Sequence, residues 1–229
     1  QFKTAGVPAL MPGDYRTVSS GNWGSSAVAT NVWETWNGTS WEPTTELPGS
    51  NTNTITIRSG HTLSLNATTA ATNLVIENGA TLRSGLADGA TGSAANRNLR
   101  VRKGIANFGT FGSSSTAAER INIEIFAANG TVNISGTNRL NVANFNVNPL
   151  AEVLEVVIDV DMNLSGYMRS YYSTTPSGTP SQDDDEVTIT ISQGKTVTIG
   201  SSGYLQVGSS PTTNTMEQFG RYTYNIAGT

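Results

Sequence analysis

From Thr54 onward the chain is a series of short runs in which an apolar residue recurs at every second position, each run broken by Gly, Asn or Ser. A period of two places alternate side chains on opposite faces, so each run reads as a strand with one buried side. The runs repeat. Thr54-Ile-Thr-Ile-Arg-Ser-Gly-His-Thr-Leu-Ser-Leu65 aligns without gaps on Thr188-Ile-Thr-Ile-Ser-Gln-Gly-Lys-Thr-Val-Thr-Ile199. Val75-Ile-Glu-Asn-Gly-Ala-Thr-Leu82 follows the first copy at an offset of 19 residues, and Ile125-Phe-Ala-Ala-Asn-Gly-Thr-Val132 is a looser fourth copy. The unit is strand, polar bend with glycine, Thr, strand, and glycine permits the sharp bend. Helical periodicity is nearly absent.

Two all-β architectures use such a unit. A sandwich or barrel needs antiparallel hairpins at regular spacing. A right-handed parallel β-helix (β-solenoid) stacks one coil of roughly 20–25 residues on the next, each burying its inward side chains on its neighbour. The offset and the bend within the unit favour the β-helix. Roughly 180 residues would then give about eight coils and nearly 40 Å of rod at about 4.8 Å per coil. The first 50 residues differ, because all four tryptophans (Trp23, Trp33, Trp36 and Trp41) lie there. Trp36-Asn-Gly-Thr-Ser-Trp41 predicts a hairpin whose indoles meet across the strands, since Asn-Gly supplies the positive φ of a tight turn. The expected division is 1–50 as an N-terminal Trp-rich cap or lead-in and 51–229 as coils.

Asp14-Tyr-Arg-Thr-Val-Ser-Ser-Gly-Asn-Trp23, Val32-Trp-Glu-Thr-Trp-Asn-Gly-Thr-Ser-Trp41, Ile55–Leu63 and Leu74–Leu82 together resemble a region of large secreted proteins. These are β-helical, adhesin-like surface proteins of Bacteroidota-type bacteria exported by type IX secretion. Gly220-Arg-Tyr-Thr-Tyr-Asn-Ile-Ala-Gly-Thr229 is similar to coils of the same proteins. The resemblance implies an extracellular or cell-surface location and an elongated scaffold. It carries over no catalytic residue. The C-terminal sorting domain of such proteins is not in the sequence, so a fragment of a longer parent is expected.

Composition narrows the chemistry. Thr, Ser, Gly and Asn supply 102 of 229 residues, and only 13% are charged, about half the usual share. The net charge of −4 gives no reason to expect nucleic acid. No apolar run approaches the roughly 20 residues that span a bilayer, so no membrane insertion is expected. With no cysteine, thiolate catalysis and cysteine-based metal sites are excluded, and the single histidine excludes a His-rich centre. His61 itself is replaced by Lys195 and Ala80 in the aligned copies, which predicts an exposed bend residue.

The remaining candidates are surface groups. A strand over Leu154–Met162 would put Glu155, Asp159 and Asp161 on one face, with Ile158, Val160 and Met162 inward. Asp159 and Asp161 would then lie about 7 Å apart, close enough to divide acid and base roles or to share a cation, though a solvated polar face has the same pattern. Asp183, Asp184, Asp185 and Glu186 could attract calcium but lack the alternating spacing and central glycine of a calcium loop. Arg97, Arg100, Arg102 and Lys103 form the basic cluster. Arg100 and Arg102 share a face and could pair with an acidic polysaccharide, and Tyr167, Tyr171 and Tyr172 could stack on sugar rings. No cofactor is required.

The leading expectation is therefore a non-catalytic extracellular scaffold or adhesive module, with glycans or other surface components as partners. The alternative is a polysaccharide-binding or polysaccharide-cleaving β-helix of lyase or hydrolase type using Asp159, Asp161 and the arginines. The sequence ends just after a strand-like segment, Arg221–Asn225. A last coil without a cover predicts continuation into a longer parent, or end-to-end self-association into filaments.

Overall fold

The computed structural model describes residues 9–24, 31–85, 96–127, 130–148, 153–170 and 186–207, and the backbone of 221–226. The chain is all-β. Its described strands are β1 (Tyr15–Thr17), β2 (Gly21–Asn22), β3 (Trp33–Trp36), β4 (Trp41–Thr44), β5 (Thr54–Ile57), β6 (Thr62–Leu65) and β7 (Thr69–Ile76). There follow β8 (Thr81–Ser84), β9 (Asn98–Asn107), β10 (Thr110–Phe111), β11 (Ile121–Ile125), β12 (Gly130–Gly136), β13 (Leu140–Val147) and β14 (Val153–Asp159). The rest are β15 (Met162–Leu164), β16 (Met168–Ser170), β17 (Glu186–Ile191), β18 (Val197–Ile199), β19 (Leu205–Val207) and β20 (Arg221–Ile226). One 3₁₀ turn, Ala117–Glu119, interrupts them.

All these strands belong to one curled, mixed sheet. Its pairings fall into three columns of parallel neighbours. The first column runs β1, β5, the second halves of β7 and β9, β12, β14, β17 and β20. The second runs β2, β6, β8, β10, the start of β13, β15 and β18. The third runs the first halves of β7 and β9, β11, the end of β13, β16 and β19. From β5 to β20 the chain visits the columns in one fixed order. The antiparallel element is the hairpin β3–β4, which lies along the outer edge of β1.

Register follows from burial, because a slip of one residue would turn every apolar side chain outward. In the first column Tyr15, Ile55, Leu74, Ile105, Ile134, Ile158 and Ile191 stack in direct register. All are buried. The second column stacks Leu63, Leu82, Phe111, Leu140 and Met162, and the third stacks Leu99, Ile123, Phe145 and Met168. Each such side chain is worth about 1.5–3 kcal/mol in burial. The bend between the first and second columns recurs at Gly60, Gly79 and Gly194, with φ of 81°, 81° and 76°. A side chain there is strained, so glycine marks this corner.

The aligned copies match the observed pairing, with Thr56 opposite Val75 and Thr62 opposite Thr81. The fourth copy does not mark the same corner. Ile125 ends a third-column strand and Val132 lies in the first column, so that segment turns a different edge. Several passages exceed the expected 20–25 residues, as where Leu74 pairs with Ile105 and Ile158 with Ile191, while the passage from Ile134 to Ile158 keeps to it. The added residues lie in connections between columns, which leaves the stacked positions intact. Within the expected lead-in, β1 and β2 join the columns too, since β1 pairs with β5 and β2 with β6.

The polar residues also form ladders. Asn122 donates from Nδ2 to Asn98 Oδ1 at 2.9 Å, and Asn144 donates to Asn122 Oδ1 at 2.9 Å. Asn163 donates to Asn141 Oδ1 at 3.3 Å. Stacking one asparagine on the next lets each amide serve as donor and acceptor between passages, the arrangement seen in cross-β ladders.

Candidate functional site

A groove of about 840 Å³ opens on the outward side of the first column. Its position follows from alternation. Where Ile55, Leu74 and Ile105 point inward, the next residues, Thr56, Val75 and Ala106, point outward and line up in register as its floor. Arg58, Glu77, Phe108 and Thr137 form a second row two residues further along, joined by Glu77 N–H to Ile57 O at 3.0 Å, Phe108 N–H to Ile76 O at 2.8 Å and Thr137 N–H to Asn107 O at 3.1 Å. Asn138 anchors that far end by donating to the carbonyls of Phe108 (2.7 Å) and Gly109 (2.9 Å).

The hairpin builds the near end. Register places Arg16 opposite Glu34, and Trp36 opposite Trp41. Arg16 is held at 2.8 Å by Glu34 and lies 4.3 Å over the Trp41 ring, while Trp36 and Trp41 pack 5.5 Å apart. The other two tryptophans are structural. Trp23 and Trp33 are buried edge to face at 5.4 Å, and Trp33 packs against Tyr15 at 6.4 Å. Both indole N–H groups are satisfied, by Pro48 O and Trp23 O. Asp14 fixes the start of the next passage, accepting from Met11 N–H at 2.7 Å and Thr54 N–H at 2.9 Å.

Two titratable groups near the first bend have defined surroundings. The Tyr15 phenol is raised above its ordinary 10.0, first by burial, then by the Glu46 carboxylate, against a lowering hydrogen bond with Thr35. His61 corrects the expectation of an exposed bend residue. It is half-buried, and its Nδ1 lies 2.8 Å from Thr17 Oγ1. Arg58 N–H donates to that same oxygen at 3.0 Å, so the Thr17 proton is available to Nδ1. The substitutions at Ala80 and Lys195 misled because Thr17 belongs to the first passage, which His61 alone of the three positions adjoins.

The sequence candidates lie elsewhere and apart. The strand ends at Asp159, the chain bends at Val160, and β15 begins at Met162. Asp161 therefore sits beyond a bend, where its Oδ1 accepts from Thr196 N–H at 3.0 Å and Oδ2 lies 3.5 Å from Arg139. Val160, Ile158 and Met162 are buried as the alternation predicts. Arg100 is in the third column, directly opposite Glu124 and paired with it at 2.9 Å. Arg102 is exposed beside a register shift that carries β9 from the third column into the first. Tyr167 stacks on Tyr204 at 5.4 Å, with Arg169 4.5 Å over its ring. Tyr171, Tyr172, Asp183, Asp184 and Asp185 lie outside the described residues, and Glu186 opens β17 opposite Val153. Among the described residues no three His, Asp or Glu side chains converge on a metal-sized site, and no helix is long and apolar enough to cross a membrane.

The groove was not legible as a site in the sequence, because its rows draw one residue from each of several passages of unequal length. The visible signal was the outward set Thr54, Thr56 and Arg58 followed by Asn73, Val75 and Glu77 at the 19-residue offset. No family model, curated protein or solved structure matches the chain.

Proposed function

We propose that the chain is a right-handed parallel β-helix acting as a non-catalytic, extracellular structural and adhesive module at a cell surface. The observation that supports this reading best is the fixed order in which strands β5 to β20 visit three columns of parallel neighbours. Such a chain advances about 4.8 Å per passage, so the eight first-column strands extend about 34 Å. Each passage rests only on its neighbours, which makes length adjustable without redesigning the core. The lengths of chain between paired positions differ from passage to passage while the register of the columns is kept. That combination suits a rigid rod that presents loops.

The polysaccharide-cleaving alternative draws no comparable support. It needs Asp159 and Asp161 beside Arg100 or Arg102, whereas Asp161 is engaged with Thr196 and Arg139, and Arg100 is matched by Glu124. Small-angle scattering on the chain, with a reducing-end and uronate assay on a polysaccharide panel, tests the reading. A rod-like cross-section and no new chain ends are expected. A globular distance distribution overturns the β-helix, and new reducing ends or unsaturated uronates overturn the non-catalytic role.

A further inference from the structure

We propose that the groove between the Trp hairpin and the Phe108 corner binds a neutral polysaccharide chain laid along the stacking direction. The inference deepens the adhesive reading above and rests on it for the biological setting.

Shape gives the first argument. From Arg16 to Thr137 the groove crosses five passages, about 19 Å at 4.8 Å each, over a floor of Thr56, Val75 and Ala106. That is a trough for an extended polymer. Charge gives the second. Arg16 is neutralised by Glu34, and both carboxylate oxygens of Asp14 already accept backbone N–H groups. Asp14 keeps its negative charge beneath the surface, and the other charges of the lining, Arg58 and Glu77, are opposite in sign and on adjacent passages, so the groove has no net positive charge to draw in an acidic chain.

Chemistry gives the third. Glu77 holds Ser59 N–H with one oxygen, leaving the other as an acceptor, and Arg58 makes no ion pair among the described residues. A carboxylate beside a guanidinium matches neighbouring hydroxyls, which both donate and accept. Phe108 is 38% exposed and Leu10 53%, giving apolar surface for the C–H faces of sugar rings. A peptide is disfavoured on the same floor. The strands beneath have their backbone groups paired within the columns, so an added peptide would find no edge to hydrogen-bond.

Affinity electrophoresis in gels containing hydroxyethylcellulose, galactomannan or xyloglucan, with polygalacturonate as the acidic comparison, provides the test. At least one neutral polymer should retard the chain, and added salt should leave that retardation unchanged. Phe108→Ala and Arg58→Ala should each weaken it about tenfold, while Arg102→Ala, exposed outside the groove, should bind as the parent does. Circular dichroism checks each variant, and if Phe108→Ala misfolds, Arg58→Ala, at an exposed corner, decides. Retention of full binding by the folded groove variants overturns the site, as does retardation by polygalacturonate alone or by none of the polymers. Scattering and reducing-end assays on the same samples report on the scaffold reading separately, so either can fail while the other stands.

Discussion

Thr17 ties the first bend to the second through a single hydroxyl: it accepts from Arg58 N–H and reaches His61 Nδ1. Removing the imidazole strands one half-buried polar contact, so His61→Ala should lower stability by about 0.5–1.5 kcal/mol, the range for one hydrogen bond. Urea midpoints of the parent and variant measure it, and an unchanged midpoint would return His61 to the status of a free bend residue. Tyr15, beside Trp33, makes the opposite end of the same passage sensitive to alkali. Its pKa is raised in the folded chain, so below pH 10.0 both states keep the proton and stability is complete. Above that, the unfolded chain ionises first, and stability falls as pH rises toward the folded value. Midpoints should therefore hold from pH 8 to near 10 and decline toward about 11, and Tyr15→Phe should flatten the decline.

The hairpin β3–β4 shows the same logic in an element. Asn37 Oδ1 accepts from the N–H groups of Thr39 and Ser40, which closes the turn around Gly38 at a φ of 107°. Its buried residue, Trp33, packs between Tyr15 and Trp23 on the edge of β1. Trp33→Ala should cost about 3–5 kcal/mol through the cavity it leaves, read by denaturant midpoint. A cost below 1 kcal/mol would mean the hairpin rests on the sheet without completing its core. The turn, the strand alternation and the Gly60 and Gly79 corners were legible in the sequence because each is decided by residues close together. The third column was not. Its early strands are continuous with first-column strands in β7 and β9, and the register shift at Ala71–Asn73 is marked only by Gly104 on the partner strand, outside the repeated strand-bend-Thr-strand unit. The Asn98–Asn122–Asn144 ladder was likewise hidden in a composition rich in asparagine everywhere.

At the scale of the whole molecule, stability should vary along the stack. If opening proceeds strand by strand, its free energy is a sum over the strands paired on either side. Inner passages have two such neighbours. Ile105 is flanked by Leu74 and Ile134, and Ile134 by Ile105 and Ile158, with every one of these side chains almost wholly buried. β1 has one parallel neighbour, β5, and on its other edge the antiparallel hairpin. Local opening can therefore begin at β1 by releasing β3–β4, whereas opening at β12 must break two parallel interfaces together. Native-state hydrogen exchange should reveal a gradient, with amides of β9, β12 and β14 protected longest and those of β1 to β4 exchanging earlier through sub-global opening. Trp33→Ala should steepen that gradient by loosening the hairpin while leaving β12 nearly unchanged. Uniform exchange in all passages, or an equal loss of protection at β1 and β12 in the variant, would show a single cooperative unit and defeat the neighbour-by-neighbour account.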